Sequence, residues 1–173
     1  MTLARFVHMH SRMMNAIELL KEQHDEVNEL FEEFEKASTQ KKQAIFREIA
    51  DNLAAHATIE ETIFYPAAYA KQTEELLTEA VEEHLGIKRL ISDLLGMSPE
   101  HPNFEAKVKV LKEQVQHHVH EEEDELFKKA KKELSAQELK TLGSRMQEVF
   151  DAEMDGRPSE KVPEQTVEAA PLR

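Results

Sequence analysis

The chain has 173 residues, 40% hydrophobic and 6% aromatic, with four glycines, six prolines, no cysteine and a formal net charge of −13. This length suits one domain with a sizeable apolar core, and abundant Lys, Glu, Leu and Ala favour helix. The acidic balance argues against nucleic acid and anionic membranes as partners, and the lack of cysteine excludes disulfides and thiolate metal sites, in keeping with a reducing cytosol.

Residues 1–13 are weakly patterned and are expected to form a poorly ordered extension. The stretch "MTLARFVHMHSRMM" lacks the apolar segment of a signal peptide, and no run approaches membrane-span length, so the expected location is cytoplasmic. Apolar periodicity then predicts four long helices. The first runs from about Asn15 to Lys36 with a seam of Ile17, Leu20, His24, Val27, Phe31 and Phe34. The second runs from about Lys41 to Tyr69 through Ile49, Leu53, His56, Glu60 and Ile63. The third runs from about Glu74 to Leu95 through Leu77, Val81, His84, Ile87, Ile91 and Leu94. The fourth runs from about Asn103 to Lys132 through Val108, Leu111, Val115, His118, Glu122 and Leu126. "GMSPEHPN" is a loop, and "SAQE" reads as a capping box with Ser135 as N-cap and Glu138 three residues on. Short connections between long helices make neighbours antiparallel. The expected fold is therefore all-α: an up-down-up-down antiparallel four-helix bundle over 14–134 with a short extra C-terminal helix over 135–154. The proline-rich, polar residues 155–173 are expected to be a disordered tail.

All four seams are interrupted by polar side chains: His24, then His56 with Glu60, then His84, then His118 with Glu122. Positions i and i+4 share a helix face, so each His-x-x-x-Glu pair can aim both groups at one cavity. Measured from the connecting loops, the six residues lie at equal heights to within about one helical turn. The halves repeat one another: a lone-histidine helix is followed by a His-x-x-x-Glu helix, and "EETIFY" from Glu60 parallels "EEDELF" from Glu122. A pseudo-twofold centre suits two metal ions. Burying carboxylates without a partner costs several kcal/mol, the seams show no Lys or Arg to neutralise them, and metal ions remove the difficulty. Imidazole with carboxylate suits iron, zinc or manganese.

The stretches "AIELLKEQHDEVNELFEEFE", "HATIEETIFYP", "EEHLGIKRLI" and "HHVHEEEDELF" resemble the haemerythrin family in its broader HHE cation-binding form, over about residues 14–132. The resemblance implies a non-haem di-iron site with bridging carboxylates and a solvent-derived oxo, hydroxo or water bridge, held by His24, His56, Glu60, His84, His118 and Glu122. Two positions depart from the oxygen-carrying members. Their third helix has a His-x-x-x-His pair, where this chain has Lys88 four after His84; their last helix uses a carboxylate five after its histidine, where Glu122 stands at four and Glu123 at five. The pattern resembles the six-ligand H, HxxxE, H, HxxxE subgroup, a resemblance that speaks against reversible O2 carriage.

The plainer reading of the six residues is a metal-free polar network. His117 and His120 are expected in solvent, though a register slip would turn His117 and Glu121 inward, and His8, His10 and His101 read as surface. Glu61 and Glu123 are expected in solvent or behind the ligand histidines, Phe31, Phe64 and Phe127 as packing, and Tyr65 as packing too, with a hydrogen bond to the ligands as its alternative role. The functional expectation is a di-iron protein that binds or processes O2, peroxide or nitric oxide, with peroxide disproportionation or nitric oxide handling as the enzymatic form. The alternative is an iron- or redox-responsive sensor without turnover, using the tail as its partner segment.

Overall fold

The computed structural model describes residues 14–172. The expected extension over 1–13 lies outside them. Helix α1 is Ala16–Lys36, α2 is Thr39–Ile59, α3 is Tyr65–Ala68, α4 is Glu74–Leu95, α5 is Phe104–Glu121, α6 is Phe127–Glu133 and α7 is Ala136–Asp155. The fold is the expected helical bundle, with no strand and no helix long and apolar enough to cross a membrane among the described residues.

Local chemistry sets the ends of the elements. Asn15 caps α1, accepting from the backbone of Ile17 and Glu18 while the Glu18 carboxylate accepts from Asn15 N–H. Ser135 and Glu138 form the anticipated capping box on α7. Such caps satisfy amides that would otherwise lack partners, each worth roughly 1 kcal/mol.

The second and fourth predicted helices are not uniform. A π turn over Glu60–Phe64 joins α2 to α3, and another over Glu122–Leu126 joins α5 to α6. Each begins on a carboxylate of the repeated motif. The 3.6-residue period carries no sign of this, because one inserted residue only rephases the apolar stripe.

The core divides into two apolar clusters. One holds Phe31, Phe34, Phe46, Ile49, Ile91, Phe104 and Leu111; the other holds Ile17, Leu20, Ile59, Phe64, Leu77, Phe127 and Met146. Buried histidine and glutamate side chains lie along the same helix faces between these groups of residues. Helix α7 packs on α1 and α2, and the tightest point is Gly143. A Cβ there would stand 2.3 Å from the Met14 carbonyl oxygen and 2.8 Å from the Ala16 nitrogen. Gly143→Ala should therefore destabilise the protein by about 1–3 kcal/mol through overpacking against backbone, even though alanine is the better helix former by ~1 kcal/mol. A melting temperature equal to or above wild type would show that α7 is not seated this closely.

The C-terminal segment corrects the sequence-based expectation of disorder. Gly156 ends α7, and Arg157 takes a left-handed conformation (φ 51°) that turns the chain back. Residues Pro158–Gln165 form a 3-10 helix against α2 and α4. Val162 is 1% exposed within the first cluster, Ser159 N–H donates to Asp51 Oδ1 at 3.1 Å, and Arg89 Nε donates to the Thr166 carbonyl at 3.0 Å. Prolines that read as disorder here pre-set backbone angles for a packed strap, and its three buried residues, Pro158, Ser159 and Val162, include one aliphatic side chain, too sparse a signal for a periodicity argument.

Candidate metal centre

Four helices and the two π turns each deliver one part of the centre. His24 comes from α1, His56 from α2, His84 from α4 and His118 from α5, while Glu60 and Glu122 open the π turns. All six are buried, with Glu60 at 0% and Glu122 at 1% exposure. The rings fall into two pairs: His24 with His56 (centroids 4.9 Å apart) and His84 with His118 (4.6 Å).

The carboxylates stand between the pairs. Glu60 Oε1 is 3.2 Å from His56 Nε2, and its Oε2 is 3.1 Å from His84 Nε2 and 4.0 Å from His118 Nε2. Glu122 Oε2 is 3.2 Å from His24 Nε2 and 3.5 Å from His118 Nε2. His24, His56, Glu60 and Glu122 can each offer one donor atom within 4.8 Å of the others, and so can Glu60, His84 and His118.

These contacts are close but not all hydrogen bonds. His24 Nε2, His56 Nε2, Glu60 Oε1 and Glu122 Oε2 are buried with no hydrogen-bond partner among the described residues. Leaving a buried polar atom unpaired costs about 1–3 kcal/mol, so four together need an explanation. Metal coordination supplies one, since a cation accepts lone pairs that converge without hydrogen-bond alignment. The nitrogen and oxygen donors, with no sulfur, fit iron, zinc or manganese.

Residues 15–130 match the family model described as "Hemerythrin HHE cation binding domain". The chain belongs to that family. It is a metal-binding haemerythrin-like domain, and its buried histidine and glutamate clusters fit that role. It is similar to the crystal structure of a Hemerythrin HHE cation binding domain-containing protein, the Rv2633c homolog from Mycobacterium kansasii. That match has a TM-score of 0.71 and 25% identity, covering 90% of this chain and 94% of the other. It is also 31% identical over 151 residues to a protein named "DNA nickase" from Nostoc sp.. The match takes in 83% of this chain but only 43% of the relative, so this domain spans less than half of that protein.

Outside the six, the haemerythrin-like centre has a ring of partners that hold each imidazole by Nδ1. His24 pairs with Glu123 at 2.8 Å, His84 with Glu61 at 2.9 Å, His56 with Gln23 at 2.7 Å and His118 with Glu83 at 2.7 Å. Every acceptor is oxygen, so each Nδ1–H donates and Nε2 is turned toward the centre. The ring obeys the pseudo-twofold. The residue after each carboxylate serves the lone histidine of the other half, and the residue before each lone histidine serves the motif histidine. That rule was readable from the repeat, yet Gln23 and Glu83 escaped sequence reasoning because they sit beside the seams.

Two sequence-based expectations need correction. Lys88 is buried at 7% exposure, and its Nζ donates to both Glu61 oxygens at 2.8 Å, so a cation does lie on a seam. Tyr65 does more than pack. Its hydroxyl donates to Glu122 Oε1 at 2.7 Å and stands 3.4 Å from His84 Nε2, with its ring stacked on His84. On a regular helix Tyr65 would face about 140° away from Glu60; the π turn brings it round to within 3.3 Å of Glu60 Oε2. Phe127 holds the matching place in the other half and stacks on His24 with no hydroxyl to give. His117, at 63% side-chain exposure, faces solvent as expected. Tyr65→Phe should lower the stability of metal-free protein by about 1–3 kcal/mol, the penalty for leaving Glu122 Oε1 without its donor. An unchanged urea midpoint would refute that role.

Electrostatics favour the charged forms of His24, His84 and Glu60. Burial alone would lower the His24 and His84 pKa values, but nearby carboxylates outweigh it: Glu122 and Glu123 raise His24 to about 9, and Glu60 and Glu61 raise His84 to about 10. Burial likewise opposes ionisation of Glu60, yet His56 and His84 hold its carboxyl well below the usual range.

A cavity of about 30 Å³ borders all four histidines and is walled by Val27, Leu53, Ile87, Ile91, Val115 and Val119. A single water needs roughly 10–15 Å³, so the space suits a diatomic or peroxide-sized molecule. A wider cleft of about 340 Å³ between α1 and α5 shares His24, Val115 and Val119 with the cavity lining.

Proposed function

We propose that this haemerythrin-like domain binds two iron ions and uses them to bind or process a small oxidant: O2, peroxide or nitric oxide. The observation that carries the reading is the apolar cavity bordering both histidine pairs, whose members His56 and His84 each lie beside one oxygen of Glu60. His24, His56, Glu60 and Glu122 would hold one ion, and His84 and His118, sharing Glu60, the other. When bound, the pair of ions would supply the electrons a small oxidant exchanges. The chain's own part is positional. Glu123, Gln23, Glu61 and Glu83 fix the imidazoles, Tyr65 fixes Glu122, and the aliphatic wall limits water.

Peroxide disproportionation is the enzymatic form we favour. The test is to add hydrogen peroxide to iron-loaded protein and follow O2 evolution. Catalytic O2 release, absent in Glu60→Ala, supports it. A reversible spectral change under O2 cycling with no turnover would point to storage instead. A sensor would need a free partner segment, and the tail that would serve is packed against α2 and α4. The name of the Nostoc relative suggests DNA cleavage, but a net charge of −13 disfavours the phosphate backbone as a partner for this domain.

A further inference from the structure

Resting on the small-oxidant reading, we propose that the side-chain amide of Gln23 is the hydrogen-bond donor that positions the ligand in the cavity and selects for ligands with a strong acceptor atom.

The orientation of the amide is set by His56. If His56 turns Nε2 toward the metal position, its Nδ1 carries the hydrogen and donates at 2.7 Å to Gln23 Oε1. The amide nitrogen is then the free end. Gln23 is 5% exposed, it borders the cavity, and its Nε2 is buried with no hydrogen-bond partner among the described residues. Lys88 also borders the cavity, but its ammonium is engaged by both oxygens of Glu61. The rest of the lining is aliphatic, apart from the four histidines. Of the side-chain nitrogens a ligand meets here outside the metal-facing ones, that of Gln23 has no hydrogen-bond partner, whereas Lys88 Nζ is already held by two.

The repeat sharpens the assignment. Glu83 occupies the place of Gln23 in the second half, holding His118 Nδ1 as Gln23 holds His56 Nδ1. Orienting a histidine needs only an acceptor oxygen, and a carboxylate does that well. The amide nitrogen of Gln23 is surplus to that task, and Glu83 does not border the cavity. An unpaired buried N–H is unfavourable until an acceptor arrives, which makes it a selective binding element. Azide, superoxide or peroxide offers a strong acceptor; nitric oxide offers a weak one.

The experiment titrates azide into ferric protein and nitric oxide into ferrous protein, for wild type, Gln23→Leu and Gln23→Glu. Iron content is first brought to the wild-type level with excess metal and checked by elemental analysis. Leucine removes donor and acceptor without adding charge; glutamate keeps the acceptor for His56 and removes the donor. Both variants should bind azide about tenfold more weakly, and the leucine variant should bind nitric oxide nearly as wild type does. Azide affinity unchanged in either iron-loaded variant overturns the proposal: unchanged leucine leaves only a charge effect, and unchanged glutamate leaves only the support of His56. A leucine variant that cannot be loaded is replaced by Gln23→Met, which is uncharged and has no donor: wild-type azide affinity there overturns the assignment and a tenfold loss supports it. Wild-type protein that takes up no iron would instead defeat the metal reading beneath it.

Discussion

Glu60→Ala should strip metal from both positions of the centre, taking the content from roughly two ions per chain to well below one. One oxygen of Glu60 faces His56 and the other faces His84, so a single carboxylate serves both histidine pairs. Glu122→Ala should also lower metal content sharply, although one Glu122 oxygen is already held by Tyr65. Glu121→Ala is the control: Glu121 lies beside His117 at the surface and should leave metal content unchanged. The metal-free Glu60→Ala protein should itself be less stable by about 3–5 kcal/mol, because buried cationic imidazoles lose their counter-charge. Metal analysis and denaturant unfolding of these variants check both statements. Equal losses in the Glu60 and Glu121 variants would mean that the assigned faces are wrong.

The second large effect is on pH dependence, where metal-free and metal-loaded protein should diverge. Without metal, His24 and His84 hold their protons up to about 9 and about 10, against 6.5 for the free side chain. A histidine with a raised folded-state pKa stabilises the fold fully below its unfolded value, and that contribution is lost as pH rises through the folded value. Glu60 acts in the opposite sense. Its depressed pKa gives stability above the ordinary carboxyl value of 4.5 that is lost as pH falls below it. Metal-free protein should thus be most stable between about pH 4.5 and 6.5 and weaken steadily toward pH 10. Metal binding needs the imidazoles deprotonated, so acid releases the ions and the stabilisation conferred by metal grows as pH rises. Melting temperatures of both forms from pH 5 to 10 test this. A gap between them that is constant, or that narrows with pH, would contradict it.

The six central residues were legible because α-helical spacing of three and four carries them into line with the apolar seam, and because the two halves repeat. What escaped lies where that spacing stops applying. The π turns rotate Tyr65 into the centre, a change of direction that no fixed period can report. The apolar seam passes over Lys88, but its long side chain reaches Glu61 while its stem lies in the core. Gln23 and Glu83 each stand one residue off the seam, yet their side chains are long enough to reach the imidazole of the neighbouring helix. The C-terminal strap depends on Val162 finding a place between α2 and α4, a tertiary fit with no local pattern.

The pseudo-twofold is also broken in a consistent direction. Tyr65 faces Phe127 across the repeat, and Glu83 faces Gln23. The second histidine pair therefore has a hydroxyl and two carboxylates around it, whereas the first has a stacked phenyl ring, an amide and one carboxylate. Two metal positions built from the same motif thus differ in their surroundings, with the cavity donor placed beside His56 of the first pair.

The most direct measurement is elemental analysis of protein purified from cells grown without added metal, paired with its visible spectrum. The account expects about two iron ions per chain and an absorption band that shifts when azide is added. A folded, fully stable protein that carries no metal and gains none on incubation with ferrous iron would contradict it. His24, His56, Glu60, His84, His118 and Glu122 would then be a hydrogen-bonded polar layer and nothing more.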